Sequence, residues 1–352
     1  MAESVVLAPK THQRSTTWFP PVPPPALGVA VAVMCGIAVA LRFQTRSRPS
    51  LIKKGTKRQF KLPKYMSTLA KKNPHPRDSR IRFQAEGHVY TIDGGRGYTS
   101  VTTWGGSHFP KFNADEVIEN MMNGKNWTKS KYYGMTPAAI KQQWDTNGAI
   151  ASTMGTKLHD DIERTIDGQK IDNSSKEYGY FLKYQKEKLT ENKPFRTEWT
   201  IFDEEHKLAG SIDYAAIRSD GTIDLYDWKR AREIKTSGFG RYALTPCIQH
   251  LPDSNFWKYS LQLNIYRDIL ERCYNLKINS MTIVCLYPDN PSYLEFSVPR
   301  MENEMRQLLE DRKKKMVRKA KTAPAATSSP PNPKSPPSGA PPPEPNPSTP
   351  SC

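Results

Sequence analysis

"GSIDYAAIRSDGTIDLYDWKRAR", residues 210–232, decides how this chain is read. Two apolar runs flank Asp220-Gly221, a pair that favours a tight hairpin turn. The reading is a pair of strands over 207–217 and 222–228. Residues two apart on a strand share a face, so Asp227 and Lys229 point one way, about 6–7 Å apart. Tyr226 and Trp228 point the other way and can pack under a helix. Hairpin geometry brings Asp213 beside Asp227. Two adjacent carboxylates repel and raise each other's pKa, a cost that a divalent cation between them removes. Carboxylates with open positions suit Mg²⁺ or Mn²⁺. A lysine two residues on can hold or deprotonate a water, or stabilise a negative oxygen. Metal-assisted phosphodiester hydrolysis needs these parts. For D-W-K by itself, a surface hairpin with an ordinary Asp–Lys pair is the alternative.

Other segments add to the pattern. In "GTKLHDDIE", His159 and Glu163 stand four apart on one helix face. The imidazole can complete a metal shell, with Glu163 orienting it. Gly155 and Thr156 precede them, as if backbone or hydroxyl must approach something closely. Gln262 and Tyr266, also four apart, share a face of a later helix, with Leu261 and Ile265 beside them. Gln and Tyr on a buried rim can bond a phosphate or an attacking water. Core packing explains the same residues in another way.

The order of these pieces is G-T-x-x-H-x-x-I-E, Glu198, G-x-x-D, D-x-K, Q-x-x-x-Y. Over residues 150–270 it resembles the PD-(D/E)XK nuclease superfamily, in its RecB-like branch, which includes the mitochondrial genome maintenance exonucleases. From about residue 82 the chain is also similar to nuclease-like proteins of large eukaryotic DNA viruses and mobile elements. The resemblance implies an α/β fold with a restriction-endonuclease-like core, a mixed central sheet flanked by helices and an N-terminal β-hairpin and helix extension. It implies His159, Asp213 and Asp227 as metal ligands, with the Trp228 carbonyl as a fourth. Lys229 would be the catalytic lysine, Gln262 and Tyr266 would position DNA or that lysine, and Glu163 and Glu198 would be supporting acids. The acid of D-x-K is often Glu in the superfamily; here it is Asp227, with a shorter reach. The implied activity is a metal-dependent DNA nuclease, an exonuclease preferring single-stranded DNA, in DNA maintenance, repair or recombination. Two alternatives stay open: a non-catalytic nucleic-acid-binding or membrane-tethered protein that has kept the fold, and an RNA nuclease.

Charge and composition divide the chain in three. The 352 residues carry a formal net charge of +17. Residues 1–77 hold 14 Lys/Arg and one acid, and residues 313–352 hold seven and one, leaving −2 between them. Basic arms suit an anionic partner, or serve as targeting and solubility segments. The first arm contains "PPVPPP" (20–25) and the uncharged "ALGVAVAVMCGIAVAL" (26–41). With its flanks it is a short membrane-segment candidate over 26–43, since a full span needs roughly 20 apolar residues. Basic, acid-poor and rich in hydroxyls, residues 1–77 also suit an organelle leader, a mitochondrial one in the first reading, with nucleus or cytoplasm as the alternative. Residues 320–352 are a Pro-rich tail with too little apolar bulk to order. The folded nuclease domain is expected over 78–319. The five cysteines are scattered, with no C-x-x-C, so an iron–sulfur cluster is not expected.

Within 78–319, "IRFQAEGHVYTIDGGRGYTSVTTW" reads as a hairpin turning at Asp93-Gly94-Gly95. "NADEVIENMM" reads as a short helix, and "TPAAIKQQW" opens another with Thr136 as its cap and Pro137 first. "SKEYGYFLKYQKEKL" is a third. "TEWTIFD" (197–203) is a strand. A helix over 255–274 capped by Asn255, strands in "SMTIVCLYP" and "YLEFSV", and a basic helix from about 301 to 318 complete the set. Tyr90, Tyr98, Trp104, Phe109 and Phe112 are candidate surfaces for stacking bases of a threaded single strand.

Overall fold

The computed structural model describes residues 67–322. The expected membrane segment 26–43 and the tail from 323 onward lie outside the described residues. No helix among the described residues is long and apolar enough to cross a membrane.

The centre is a six-stranded mixed sheet flanked by helices, as expected. Its strands are β3 (Thr99–Ser100), β4 (Lys193–Asp203), β5 (Leu208–Ile217), β6 (Ile223–Lys229), β7 (Ile278–Cys285) and β8 (Leu294–Ser297). The hairpin read from Asp220-Gly221 is present: β5 and β6 pair antiparallel from Ile217/Ile223 to Tyr214/Tyr226. Gly221 supplies the positive φ, 81°, that this turn needs. β4 covers one whole edge of β5. On the other edge, β3 pairs only with Leu208 and Ala209, and β6 only from Tyr214 onward. Residues 210–213 of β5 therefore lie in a gap between two neighbouring strands. β7 runs parallel to β6 through Lys229/Cys285, and β8 closes that edge antiparallel to β7.

The two sheet faces bury different sets. One carries Leu208, Ile212, Ala215, Ile223 and Leu225 under α2 (Val101–Gly106), α6 (Asn255–Cys273) and α7 (Glu302–Thr322). The other carries Tyr214, Tyr226 and Trp228 under α4 (Pro137–Ile166) and α5 (Lys176–Lys188), which supply Leu158, Ile162, Phe181 and Tyr184. Tyr226 and Trp228 thus pack under helices, as their alternation requires. α4 is 30 residues long, about 45 Å at 1.5 Å per residue. It starts with Thr136 capping Ala139 and Pro137 in the first turn. Its first turns pack with α3 (Ala114–Met122) through Ile118, Tyr132 and Ile140, and its last turns pack on the sheet.

Three local expectations change. The N-terminal hairpin turns earlier, at residues 85–88, joining β1 (Ile81–Gln84) to β2 (Val89–Ile92); Gly87 and His88 take the positive φ there. Asp93-Gly94-Gly95 instead ends β2, and "VTTW" is helical in α2, with the Ser100 hydroxyl accepting from Thr103 N–H. The cap residue of α6 is Ser254; Asn255 ties down the preceding loop, accepting from Lys235 N–H and donating to the Glu233 carbonyl.

The folded unit also begins before residue 78. Helix α1 (Thr68–Lys72) has its first N–H groups on the Asp167 carboxylate at 2.9 and 3.1 Å. Asp78 accepts from Arg196 at 2.8 Å and from the Trp199 indole at 3.1 Å. Arg196 is 5% exposed, so its charge depends on that partner. Removing one member of a buried pair costs about 3 kcal/mol, and about 1 kcal/mol moves the midpoint of a domain this size by roughly 2–4 °C. Asp78→Ala should therefore lower the thermal midpoint, followed by circular dichroism, by roughly 6–12 °C. A shift under about 2 °C would mean that this ion pair does not hold the N-terminal segment.

Candidate active site

The gap in β5 is where the sequence motifs meet. At Gly210 a side chain has no room: an added Cβ would lie 2.6 Å from Tyr266 Cε1 and 3.2 Å from Val101 Cβ. Glycine lets α6 and α2 close on the strand there. Three residues later comes Asp213. It and Glu198 fall between the ladder pairs Thr197/Tyr214 and Trp199/Ile212. Glu198 has φ 41°, an uncommon conformation for a residue with a side chain. Such strain collects at functional sites.

His159, near the end of α4, reaches this irregularity. Its Nδ1 lies 3.4 Å from Glu198 Oε1 and 3.7 Å from Asp213 Oδ1. Its Nε2 lies 2.9 Å from the Trp228 carbonyl. Asp213 Oδ2 accepts the Trp228 N–H at 2.8 Å, and Ser211 donates to Glu198 at 3.1 Å. One ligand atom each from His159, Glu198 and Asp213 lie within 4.8 Å of one another. Adjacent ligands of an octahedral ion with ~2.1 Å bonds stand about 3 Å apart, so these spacings suit a small divalent cation. Two carboxylates, an imidazole and a carbonyl are donors that Mg²⁺ or Mn²⁺ accepts.

On the α6 side of β6, Lys229 Nζ bridges both oxygens of Asp227 at 2.8 and 2.7 Å. Gln262 donates to Asp227 Oδ1 at 3.1 Å. The ammonium also stands 4.8 Å from the centre of the Tyr259 ring. Asp227 thus faces Lys229 and Gln262, and its carboxylate is not one of the three groups that converge at His159. Tyr266 is buried beside Gly210 and hydrogen-bonds Thr102, so it holds α2 and α6 against the strand. Glu163, one turn beyond His159, is outside the three converging groups; Glu198 is the acid that faces His159. Gly155 has nothing within 4 Å of an added Cβ and Thr156 is exposed, so no close approach exists there within the chain.

The electrostatics follow from crowding. Burial opposes charge on His159, but Asp213 and Glu198 outweigh it and push the imidazole up to about 9. With both ring nitrogens facing acceptor oxygens, the imidazolium satisfies both. Burial raises Asp213 above the usual carboxylate range; Asp227 and Glu198 add repulsion, against the pull of His159 and Lys229. Burial disfavours the Lys229 ammonium, yet Asp227 and then Asp213 hold its pKa above the ordinary value. Three acids share this space with two cations.

Two supporting contacts are absent from the sequence reading. Arg230, directly after Lys229, is buried on Glu177 of α5 at 2.8 Å, and Tyr259 sits one turn before Gln262. The 259–262–266 spacing on α6 was the available signal for the second. Of the stacking candidates, Tyr90, Trp104 and Phe109 are buried in the core, which removes them as base platforms; Tyr98 and Phe112 are half-buried. Among the described residues, the aromatic rings exposed to solvent are Phe83, Tyr133, Phe239 and Tyr242.

No family model matches the chain, and no curated protein matches it. Among solved structures, it is similar to SSO0001, with 15% identity, a TM-score of 0.27 and coverage of 62% of this chain and 76% of that one. It is also similar to an alkaline exonuclease (LHK-Exo) from Laribacter hongkongensis, with 14% identity, a TM-score of 0.25 and coverage of 62% and 97%. At scores this low, the functional reading rests on the residues of this chain.

The raised His159 pKa has a definite sign. Its charge stabilises the fold fully below the ordinary histidine value and loses that effect as pH rises through about 9. In metal-free protein the His159 ring protons, followed by NMR, should titrate well above 6.5, and Glu198→Gln should bring the midpoint down. A midpoint at or below 6.5 would contradict this electrostatic picture.

Proposed function

We propose that the chain is a metal-dependent DNA nuclease that hydrolyses phosphodiester bonds, acting as an exonuclease on single-stranded DNA. The observation that carries the reading is the convergence of His159, Glu198 and Asp213 within 4.8 Å, next to a lysine seated on a buried aspartate. His159, Glu198, Asp213 and the Trp228 carbonyl would hold Mg²⁺ or Mn²⁺, with Asp227 as a further carboxylate in exchange with Lys229. Bound there, the ion supplies Lewis-acid polarisation of the phosphoryl group and a more acidic water.

The chain's own groups divide the rest of the work. Lys229 enters as an ammonium, since its neighbours favour the charged form; it stabilises a phosphoryl oxygen or orients the water, and does not serve as a free base. Asp227 and Gln262 hold the lysine in place. Asp213 has one oxygen fixed on the Trp228 amide, which leaves the other facing His159. Tyr266 and Gly210 set how closely α6 approaches the strand.

Access favours a single strand. Gly148 and Gly155 lie on α4 with open space around them, on the face that carries His159 one turn later. The segment between β6 and α6 presents Phe239 and Tyr242 among Arg232, Lys235 and Arg241, a combination that stacks bases and follows a backbone. In the same reading the basic leader directs the enzyme to an organelle, a mitochondrion first, where DNA maintenance, repair or recombination supplies single-stranded ends.

Asp213→Asn, Asp227→Asn and Lys229→Ala should each lower cleavage by at least about a thousandfold, as the loss of several kcal/mol of transition-state stabilisation requires, while the circular dichroism spectrum is kept. Cleavage by the Lys229 variant within about tenfold of wild type would remove that lysine from the mechanism. His159→Ala should chiefly raise the metal concentration for half-activity, because a neutral ligand contributes affinity more than charge. End-labelled linear single strands should be degraded faster than a closed circle of the same sequence. Equal rates would overturn the exonuclease assignment and leave the metal site standing.

A further inference from the structure

A cavity of about 680 Å³ lies away from the carboxylate cluster. It is bounded by the end of α2, the strand starts at Thr99 and Lys207, Thr245, and one face of α7. Lys207 precedes Asp213 by six residues of extended chain, about 20 Å at 3.3 Å per residue, so the two sites are distinct.

Its walls are cationic. Lys207, Arg312, Lys315 and Lys319 line it, against the single carboxylate of Asp311. Arg312 is fixed in place: Nε donates to the His206 carbonyl at 2.5 Å, Nη2 donates to Thr99 Oγ1 at 3.1 Å, and the guanidinium stands 5.1 Å from the Trp104 ring centre. Lys315 and Lys319 are exposed and one turn apart on α7. Lys313 is different, being taken by Glu205 at 2.7 Å. Leu308 and Met316 add an apolar wall.

His108 gives the second, independent observation. It lines the cavity and is only 7% exposed. Its Nδ1 lies 2.8 Å from Thr245 Oγ1, while its Nε2 has no hydrogen-bond partner among the described residues. Burial, with Lys315 and Arg312 nearby, keeps the ring neutral by pushing it down to about 4. A neutral ring carries one N–H, so whichever way the Nδ1–Thr245 hydrogen bond runs, Nε2 is left as a buried polar atom that needs a partner.

We propose that this cavity binds a nucleoside phosphate, with the phosphate held by Lys207, Arg312, Lys315 and Lys319, the base or sugar against Leu308 and Met316, and a polar atom of the ligand meeting His108 Nε2. A pocket of this volume holds a molecule of that size. A planar guanidinium with lysines around it is the usual set of phosphate donors. The ligand is either a free nucleotide or one nucleotide of a bound strand. The inference does not rest on the nuclease reading, since it concerns binding alone.

The test is calorimetric titration of the full chain with a chelator present, so that no strand is cut. The probes are ATP, inorganic phosphate and a short 5′-phosphorylated oligothymidylate. ATP or the oligonucleotide should bind at least about tenfold more tightly than inorganic phosphate, with affinity falling as salt rises. Lys315→Glu with Lys319→Glu, both at exposed positions, should weaken that binding at least about tenfold. His108→Phe, which removes the unpaired ring nitrogen, should weaken it several-fold without lowering the thermal midpoint. Tighter binding of ATP would assign a free nucleotide, and tighter binding of the oligonucleotide a strand. Binding no tighter than that of inorganic phosphate, or within twofold of wild type in the charge-reversal variant, would overturn the proposal. Because no cleavage is measured, that outcome would leave the nuclease reading untouched.

Discussion

The hydrogen bond from the Trp228 amide to the Asp213 carboxylate is the contact on which the rest of the site depends. A buried backbone N–H must find an acceptor. β5 and β6 part company after Tyr214/Tyr226, so the sheet ladder offers Trp228 no partner on that side, and Asp213 takes the vacant place. One oxygen is spent on the backbone and the other is left facing His159. The Trp228 carbonyl is engaged by the same histidine. The two peptides that flank Trp228 therefore fix the acid and the imidazole.

Those peptides are themselves held by aromatic packing. The Trp228 indole stacks along Tyr214 and Tyr226 and meets Phe181 and Tyr184 edge-on. Such contacts contribute roughly 0.5–1.5 kcal/mol each beyond burial, and their larger effect here is positional. The apolar face of β6 clamps the strand so that the opposite face can carry a buried Asp227–Lys229 pair. A buried ion pair adds little net stability; this one sits on the α6 side and acts electrostatically on Asp213. The sheet separates the Asp227–Lys229 pair from the converging His159, Glu198 and Asp213, and the gap in β5 is the opening between them.

Charge is distributed on a larger scale as well. The region between the basic arms is close to neutral, yet α7 brings Lys and Arg from the edge of the second arm onto the folded unit. There they meet Lys207 at the start of β5 and line a cavity about 20 Å from the carboxylates. Cationic chemistry thus stands just before β5 and acidic chemistry midway along it.

Sequence by itself determined the local elements and the chemical inventory. The Asp220-Gly221 turn, the alternation of Asp227 and Lys229 against Tyr226 and Trp228, the Thr136-Pro137 helix start and the 262–266 spacing are set by short-range periodicity and turn chemistry, which act within a few residues. Boundaries that depend on distant partners were not legible: helix α1 is anchored by Asp167, nearly a hundred residues away, and the first hairpin turns at residues 85–88 because its partner strand is β2. The choice of Glu198 over Glu163 as the acid beside His159 was decided only by tertiary structure. Helical spacing puts Glu163 on the histidine's own face, but the irregularity of β4 opposite Asp213 turns Glu198 toward it. The burial of Trp104 and Phe109 was decided in the same way, because an aromatic residue's exposure depends on which helices cover it. Sequence supplies the residues and their local periods; which of them meet depends on how the strands of one sheet part, and that is a property of long-range pairing.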